Sequence, residues 1–442
     1  MPGYADWRKL FLEEYVQLND EGYDLTDAPK LSEDKSTLAN GETGDEAWKR
    51  AYDELWALTK HPLRPDYPYV EPNGFEEILA AAAERPELIP TDEAEYTRRI
   101  KGAVLGRIAG VILGKPLESN YNAQTVRQYL IGANAYPLND WVPAASEGTG
   151  MRARGDCWPS TKGHIAYAQP DDDINYTLLA LRLAERKGLD FSAADVGYNW
   201  LDNVPYHWFW CASRQAYYHL VRGDRVEDIP TSLNPWRECI DGQIRCDLWG
   251  YVAPADLDKA ALGAYRDCAF SLTKNGIYGG MFVAGCLAGA LAENPTVDRI
   301  LDSGLAVIPK QSRLAEAVTL VREWYRATPD FDVVCGKIYE KYGYLSYAMT
   351  VNNLSMVVLS LLHGNLDYEK TITSAVMAGM DTDCNGGTAG SIVGAAVGID
   401  GIEERWYAPL NDTIKSNVAA FGQVTISSVI DRILALRKKL AQ

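Results

Sequence analysis

The chain has 442 residues, enough to bury a large core in one to three domains, and 47% of them are hydrophobic, as in globular proteins. Its 60 acidic and 43 basic residues give a net charge of −17, which disfavours nucleic acids and anionic membranes as partners. The eight scattered cysteines form no CxxC pair and the five histidines show no HExxH spacing, which argues against disulfide scaffolds, zinc fingers and zinc proteases.

The first 90 residues are rich in charge, Tyr and Trp, and they predict short helices at 5–18, 45–60 and 74–84, separated by turn-forming stretches. We interpret this segment, residues 1–90, as an N-terminal helical extension that packs on the main body, because its many aromatic side chains need burial. The N-terminus lacks the basic region and apolar core of a signal peptide, so we expect a cytoplasmic protein.

Two later segments share a glycine pattern. Asp92 and Glu95 resemble a capping pair ahead of a helix with apolar residues at helical spacing, and glycines recur there at 102, 106, 110 and 114. The same four-residue glycine spacing recurs in a distant segment, at positions 386, 390, 394 and 398. Each glycine costs roughly 1 kcal/mol relative to alanine inside a helix. We therefore expect two central helices whose smooth stripes let another backbone approach closely.

The apolar segment GAVLGRIAGVILG in the first of these helices is 13 residues long, too short to cross a bilayer, so no membrane partner is expected. Alternating β patterns are scarce in the rest of the chain. The main further helices are predicted at 172–187, closed by Gly188, and at 276–292, 311–327, 352–363, 369–379 and 425–440. The predicted fold class is all-α, with a compact multi-helix body at 91–442.

Three adjacent carboxylates occur in the stretch QPDDDINYT. Proline cannot occupy a helix interior, so Pro170 predicts Asp171 as the helix cap and Asp172–Asp173 as the first turn. The helix dipole stabilises each such carboxylate by about 0.3–1 kcal/mol, which explains one or two of them as ordinary capping residues. Three in a row repel one another, and a bound divalent cation such as Mg²⁺ or Ca²⁺ would remove that repulsion.

A second acidic segment has the same layout. Asp381 and Asp383 stand ahead of a helix of small residues in GMDTDCNGG. A DxD pattern alone is weak evidence for a metal site, and a pair of ordinary helix caps is the alternative. Two acidic helix openings, about 200 residues apart in the sequence, together favour the hypothesis that they meet in space around a divalent metal.

From about residue 91 to 442, the chain resembles the ADP-ribosylglycohydrolase family, which includes dinitrogenase reductase-activating glycohydrolase. The segment KGAVLGRIAGVILGKPLE resembles the family's opening helix with its Gly-x-Pro-x-Glu exit. DDDINYTLLAL resembles its Thr-Asp-Asp-Thr-x-x-Thr helix start, and GMDTDCNGGTAGSIVGAAVG its Gly-x-Asp-Thr-Asp-Thr-Asn segment. The resemblance implies an all-α fold and a pair of divalent ions, usually Mg²⁺ with Mn²⁺ or Ca²⁺ as alternatives.

By this resemblance, both acidic segments hold the ions, and the predicted metal ligands are Asp171, Asp172, Asp173, Asp381 and Asp383. Two positions depart from the family pattern. Asp171 stands where most members have threonine, and its added charge would strengthen cation binding. Cys384 replaces the usual threonine ligand, and because sulfur is a poor partner for Mg²⁺ we expect water to take that ligand's place.

The resemblance also suggests catalytic residues, and a separate stretch suggests substrate-binding residues. Glu118 matches an acidic residue near the family's active-site loop, and we predict that it acts with Asp172 and Asp173 in catalysis, as a general base or by orienting water and metal. The alternative for Glu118 is an exposed loop carboxylate. Apart from the resemblance, the stretch TKNGIYGGMF places Asn275 and Gly276 before an apolar helix, and Asn275, Gly276 and Tyr278 are predicted to line a substrate pocket. An ordinary turn with an N-cap asparagine explains that segment equally well.

Arg245 lies among aromatic residues, and the sequence allows two roles for it: a contact with phosphate or a buried structural ion pair. The resemblance implies a Mg²⁺-dependent hydrolase that cleaves an N- or O-ribosyl bond through an oxocarbenium-like transition state. The expected substrate is an ADP-ribosylated protein or a small ribosylated metabolite, such as a nucleoside or nucleotide. The alternative is a catalytically inactive protein that retains the metal and binds ADP-ribose or a nucleotide.

Overall fold

The computed structural model describes residues 3–118 and 121–440, and within them it contains nineteen α-helices and two small antiparallel sheets. The first ten helices are α1 Trp7–Asp20, α2 Asp45–Ala57, α3 Phe75–Ala80, α4 Glu93–Gly114, α5 Ala123–Gly132, α6 Asp172–Lys187, α7 Ala193–Asn203, α8 Cys211–Arg222, α9 Asp241–Arg245 and α10 Asp247–Tyr251. The other nine are α11 Leu257–Cys268, α12 Lys274–Ala290, α13 Val297–Leu305, α14 Arg313–Ala327, α15 Phe331–Tyr342, α16 Thr350–Gly364, α17 Tyr368–Met377, α18 Thr382–Val397 and α19 Ile426–Leu440.

The strands are few and short. They pair β1 Ala145–Ser146 with β2 Met151–Arg152, and β3 Thr413–Lys415 with β4 Gln423–Thr425. The predicted all-α fold class is therefore confirmed. None of the helices in the described ranges combines the length and the apolar character that crossing a lipid bilayer requires.

Most of the predicted helices are present with shifted ends. Helix α6 begins at Asp172 and is closed by Gly188, as the sequence predicts. Asp92 caps α4 by accepting a hydrogen bond from the Glu95 amide at 2.8 Å, but the Glu95 side chain pairs with neighbouring arginines instead of completing a capping box. The shorter helices α5, α7–α11, α13 and α15 have no counterpart among the predicted segments.

The glycine stripes of α4 and α18 pack against each other. A Cβ atom placed on any of these glycines except Gly398, which faces the Arg98 side chain, would come closer than 3.0 Å to the facing backbone, and this confirms the expected close approach. The facing pairs are Gly102 with Gly394, Gly106 with Gly390, Gly110 with Gly386 and Gly114 with Thr382. The two helices therefore run antiparallel. This contact places the end of α4 beside the start of α18, where the second acidic segment lies.

The N-terminal segment packs on the rest of the chain. Helices α1 and α2 enclose an apolar cluster that includes Phe11 and Trp48, while Leu10 and Tyr52 join the main core. Buried ion pairs also join α1 to the body, since Glu14 and Glu21 both contact Arg237. These contacts accord with an extension that packs on the body, although the domain boundary at residue 90 remains a prediction.

Candidate metal centre and active site

The first acidic segment lies at the start of α6. Asp171 is the helix cap, and its Oδ1 atom accepts a hydrogen bond from the Asp173 amide at 2.9 Å. Asp171 and Asp173 are buried. Asp172, the first helical residue, is partly exposed and lies within electrostatic range of Asp171, Asp173 and Glu118. The predicted cap and first turn are therefore present.

The second acidic segment lies at the start of α18. Asp381 occupies the cap position but makes no capping hydrogen bond, and Asp383 is in the first turn. Both residues are buried, and among the described residues neither Asp381 Oδ1 nor Asp383 Oδ1 has a hydrogen-bond partner. Buried polar atoms are nearly always satisfied in folded proteins, so these two oxygens point to a missing partner.

The two segments meet in space. Carboxylate oxygens of Asp171, Asp173 and Asp383 lie within 4.8 Å of one another, and so do ligand atoms of Asp381, Asp383 and Cys384. Asp383 belongs to both groups. We call Asp171, Asp172, Asp173, Asp381 and Asp383 the aspartate cluster. The predicted convergence of two segments about 200 residues apart is thus what the fold produces, through the antiparallel packing of α4 on α18 and the placement of α6 beside them.

Electrostatics within the aspartate cluster are unfavourable. Burial, and next to it the Glu118 carboxylate, raises the pKa of Asp381 to about 7. Burial and the same neighbour raise the pKa of Asp383 well above its usual value. For Asp173, burial outweighs the nearby Arg107 and again raises the pKa well above normal. The protein's own charges therefore do not balance the cluster, and a cation that binds there would be stabilised.

The oxygen-rich donor set fits a hard divalent cation. Mg²⁺ and Ca²⁺ prefer carboxylate and water oxygens, and the unpartnered oxygens of Asp381 and Asp383 are suitable ligands. The Cys384 thiol lies 3.2 Å from Asp173 Oδ2 and donates to it. Its sulfur is also one of the ligand atoms grouped with those of Asp381 and Asp383, so the expectation that water replaces this ligand stays a prediction.

Two basic residues that the sequence reasoning missed border the cluster. Lys115 follows the last residue of α4, and its buried ammonium group pairs with Asp171 Oδ2. Arg107 lies beneath Asp173, where its guanidinium donates to the Asp173 carbonyl at 2.8 Å and lies 3.3 Å from Oδ1. Arg107 is the single charge in the apolar segment GAVLGRIAGVILG. A single charge in an apolar helix indicates a buried ion pair, because a buried charge needs a partner, and this pattern could have identified Arg107.

Glu118 lies at the exit of α4, beside the cluster. Its Oε2 atom is held by Arg154 at 2.5 Å, and Arg154 also pairs with Asp156 at 2.9 Å. After burial, the charge of Glu118 is the largest influence that raises the pKa values of Asp381 and Asp383. This proximity is compatible with the predicted catalytic role, which stays a prediction.

The predicted substrate-binding residues lie at the start of α12, and all three are buried. The Asn275 amide donates to Glu71 at 2.8 Å and to Glu238 at 3.1 Å, and its oxygen accepts from the Leu314 amide at 3.0 Å. The Tyr278 hydroxyl donates to the carbonyl of Pro72. A Cβ on Gly276 would lie 2.6 Å from the Arg237 carbonyl. The contacts are thus with other parts of the protein, including the N-terminal segment, and substrate binding by this trio remains a prediction.

Arg245 makes a structural ion pair. It is buried, its Nε lies 3.0 Å from Asp267 Oδ1, and a second guanidinium nitrogen donates to the Asp267 carbonyl at 2.7 Å. Of the two alternatives that the sequence leaves open, the buried pair is the one present in the structure.

A cavity of about 390 Å³ opens beside the second acidic segment. Its lining combines aromatic, amide and apolar groups from Tyr121, Asn122, Tyr339, Gly343, Leu345, Tyr347, Asn352 and Met380. Met380 directly precedes Asp381, and its amide donates to the Tyr121 carbonyl at 3.1 Å. The volume is within the range of small-molecule sites, about 300–1,000 Å³.

Comparison with known proteins gives a match to a family model and likenesses to solved structures. A family model described as ADP-ribosylglycohydrolase matches residues 92–441, which contain the whole aspartate cluster. A solved structure described as "ADP-ribosylglycohydrolase-related protein complex" has a TM-score of 0.45 and 16% sequence identity, over 78% of this chain and 99% of the other. No curated protein matches the chain. The family match begins at α4 and leaves the N-terminal segment outside it.

Proposed function

Because the chain belongs to the ADP-ribosylglycohydrolase family, we propose that it is a Mg²⁺-dependent glycoside hydrolase that cleaves an N- or O-ribosyl bond. One observation supports the proposal most strongly: oxygens of Asp171, Asp173 and Asp383 lie within 4.8 Å of one another, although the residues come from segments far apart in the sequence. Burying carboxylates without enough basic partners lowers the stability of the folded protein, and such groups are concentrated at functional sites.

The two acidic segments, residues 171–173 and 381–383, would hold the divalent cation. When bound, it supplies Lewis-acid polarisation of water and a fixed point for the ribose hydroxyls. Carboxylates rather than histidines or a serine dominate this site, and carboxylates are the groups that glycoside hydrolysis uses. The unpartnered oxygens of Asp381 and Asp383 support this assignment.

Glu118 is the proposed general base. Its carboxylate accepts the proton of the attacking water, and Arg154 holds its Oε2 atom in a fixed orientation at 2.5 Å. Asp172, which is partly exposed at the first turn of α6, is the member of the first segment best placed to meet solvent. The first-turn residues Asp172 and Asp173 position the reacting groups in this proposal.

The cavity beside Asp381 is the proposed binding site for the group attached to the ribose. Its tyrosines offer faces for stacking, and its volume of about 390 Å³ suits a nucleoside or a similar small group. The candidate substrates remain an ADP-ribosylated protein and a small ribosylated metabolite. We include the expected cytoplasmic location in this proposal, because all eight cysteines are free thiols.

An activity screen tests this proposal. Purified full-length protein is incubated with ADP-ribosylated protein, ADP-ribosyl-arginine and free nucleosides, each with Mg²⁺ and with EDTA. We expect one substrate class to release its ribosyl group with Mg²⁺ only. Calorimetric binding of ADP-ribose without turnover of any substrate would instead favour the inactive binding protein. If no substrate is cleaved and no ligand binds, the proposal is wrong.

A further inference from the structure

Resting on one part of the proposed function, the binding of a divalent cation by the aspartate cluster, we propose that Asn353 is a positioning residue for that cation. Asn353 lies in the first turn of α16 and is fully buried. Its side-chain amide joins α16 to the first turn of α18, which carries Asp381 and Asp383. Asn353 does not touch the cation in this proposal, and it acts through the backbone that carries Asp381.

One oxygen of Asn353 holds two points on α18. Its Oδ1 atom accepts a hydrogen bond from the Asp381 amide at 3.3 Å and another from the side-chain amide of Asn385 at 2.8 Å. The backbone amide of Asn385 donates to the Asp381 carbonyl at 2.9 Å, which closes the first turn of the helix. Asn353 therefore holds both ends of the turn that contains Asp383.

The orientation of the Asn353 side chain follows from its partners. Its Nδ2 atom donates to the carbonyl of Tyr347 at 2.6 Å and to that of Met349 at 2.8 Å. Backbone carbonyls only accept hydrogen bonds and the Asp381 amide only donates, so the oxygen of Asn353 faces α18. A side chain with all of these bonds is held in one position, as is required of a group that orients a metal ligand.

The capping of α18 explains why this helix uses an acceptor from another helix. In a capping box, the side chain of the third helical residue accepts the amide of the cap residue. The third residue of α18 is Cys384, and its thiol donates to Asp173 instead. Asn353 accepts the Asp381 amide in its place, and Asp381 Oδ1 has no hydrogen-bond partner in the part of the chain that the structure describes. A carboxylate oxygen that does not cap its own helix is available to a cation.

The backbone ahead of Asp381 is also held on both sides. Gly379 and Met380 have φ angles of 73° and 62°, and for a methionine this left-handed conformation is uncommon and persists only where its surroundings fix it. The Met380 amide donates to the Tyr121 carbonyl at 3.1 Å. The next amide along the chain, that of Asp381, donates to Asn353. Without the Asn353 oxygen, this turn loses one of its two hydrogen bonds, and the Asp381 carboxylate is no longer held towards the cluster.

Metal affinity tests the proposal. Asn353→Leu keeps nearly the shape of the side chain and removes its hydrogen bonds, and Asn353→Ala removes the same bonds without an added apolar group. Full-length wild-type and variant proteins are stripped with EDTA and titrated with Mn²⁺, which replaces Mg²⁺ and is visible by electron paramagnetic resonance. We expect the dissociation constant to rise about 10–100-fold, as for other residues that orient metal ligands. An unchanged dissociation constant in either variant, shown to be folded by circular dichroism, would overturn the proposal.

Asn234→Leu is the matched control. Asn234 is also fully buried, and its Nδ2 atom donates to two backbone carbonyls, those of Pro230 and Ser271, at 2.9 Å each. Its oxygen has no hydrogen-bond partner among the described residues, so it lacks the acceptor role that we assign to Asn353. Both leucine variants should lose stability, but Asn234→Leu should keep the wild-type affinity for Mn²⁺. Equal losses of affinity would mean that Asn353 has only a general structural role.

A second background tests whether Asn353 acts through Asp381. Asp381→Asn keeps the backbone amide and the shape of the side chain, but it removes the charge and should by itself weaken Mn²⁺ binding. In this background Asn353→Leu should weaken binding much less than it does in the wild type, because the effects of residues that act together are not additive. The same loss in both backgrounds would contradict the assigned role.

The outcomes also separate this proposal from the proposed function. If Mn²⁺ binding depends on Asn353 and no substrate of the activity screen is cleaved, the positioning role stands and the proposed hydrolysis does not. If the wild-type protein cleaves a ribosyl bond and Asn353→Leu binds Mn²⁺ as tightly as the wild type, the proposed function stands and the positioning role is wrong. If the wild-type protein binds no Mn²⁺, both are wrong.

Discussion

Two buried regions of this protein are rich in carboxylates, and they differ in how those carboxylates are neutralised. One is the aspartate cluster at the starts of α6 and α18. The other, which we call the junction cluster, lies where the N-terminal segment meets the body and consists of Glu14, Glu21, Glu71, Glu238, Arg237, Lys274 and Arg313. Because both clusters are buried, burial alone does not distinguish a candidate functional site from a structural one.

In the junction cluster, basic side chains lie between the acids. Arg237 contacts Glu14 at 2.8 Å and Glu21 at 2.7 Å, and Lys274 contacts Glu21 at 3.0 Å. Burial opposes ionisation of Glu21, but Arg237 and Lys274 lower its pKa to about 2. Glu14 is the exception, since burial raises its pKa despite Arg237. These contacts join α1 to the body.

Arg313 has the same role on the other side of the junction cluster. It contacts Glu71 and Glu238 at 2.7 Å each, and it lowers the pKa of Glu71 despite the burial of that residue. In the aspartate cluster, by contrast, the pKa values of Asp173, Asp381 and Asp383 are all raised. The number of basic partners, more than the number of carboxylates, therefore distinguishes a cluster whose charges are balanced within the protein from one that has room for an external cation.

Replacing Asp383 tests the largest difference between the clusters. Asp383→Ala should lower kcat/KM by on the order of 10³-fold, because loss of a carboxylate shared by both ligand groups removes several kcal/mol of metal-assisted stabilisation. In EDTA, the variant should unfold no earlier than the wild type, since a buried carboxyl group that its acidic neighbours disfavour is removed. Steady-state kinetics and thermal unfolding measure the two effects.

Asp400→Ala is the matched control for Asp383→Ala, because Asp400 is an exposed carboxylate just beyond α18. It should leave the activity within a factor of about two of the wild type, as expected of a surface carboxylate. If Asp383→Ala kept its activity, or lost stability to the same extent with and without Mg²⁺, the aspartate cluster would be structural.

Replacing Arg313 tests the junction cluster. Arg313→Met should lower the free energy of unfolding by about 3–5 kcal/mol, because Glu71 and Glu238 are left buried without their partner. Chemical denaturation measures this loss. Arg326→Met, in the exposed last turn of the same helix, should cost about 1 kcal/mol or less. Equal losses in the two variants would contradict the proposed difference between buried and exposed pairs.

The pH dependence of stability tests the charge state of Glu21 in the junction cluster. The pKa of Glu21 falls from 4.5 to about 2 on folding, so its contribution of about 3 kcal/mol is present above pH 4.5 and is lost as the pH falls towards 2. Denaturation at several pH values should show a shallower loss in Glu21→Gln over that window. An unchanged slope would mean that folding does not shift the pKa of Glu21.

For the aspartate cluster, stability changes with pH in the opposite direction. The pKa of Asp381 rises from 3.8 to about 7 on folding, so its protonation stabilises the folded state below pH 3.8 and this contribution is lost as the pH rises through 7. In EDTA, the wild-type protein should therefore lose part of its stability between pH 4 and pH 7, and Asp381→Asn should reduce that loss. This measurement completes the comparison of the two clusters.

Local sequence signals predicted a large part of the fold. Pro170 and the aspartates fixed the start of α6, and Gly188 fixed its end. The four-residue glycine spacing identified α4 and α18 as helices that admit a close backbone contact. The candidate site residues Asp171, Asp173, Asp381 and Asp383 were marked by the same local signals, and the structure brings all four together.

The local sequence does not indicate the partners of Lys115 or of Asn275. Lys115 stands in an unremarkable helix exit, and nothing in its neighbours indicates a partner at Asp171. Glu71 and Asn275 are about 200 residues apart, yet their side chains are hydrogen-bonded at 2.8 Å. The substrate role predicted for Asn275 came from its place ahead of an apolar helix, whereas its hydrogen bonds in the structure join the N-terminal segment to α12.

The amino-acid sequence determined the bounds of α6, the glycine faces of α4 and α18, and the acidic starts of α6 and α18, because capping, glycine spacing and apolar period act within a few residues. Only the tertiary structure decided which acidic segments share a site and which carboxylates receive a basic partner. Those choices depend on the packing of helices far apart in the chain, where the antiparallel contact of α4 with α18 sets the positions of Lys115, Asp381 and Asp383.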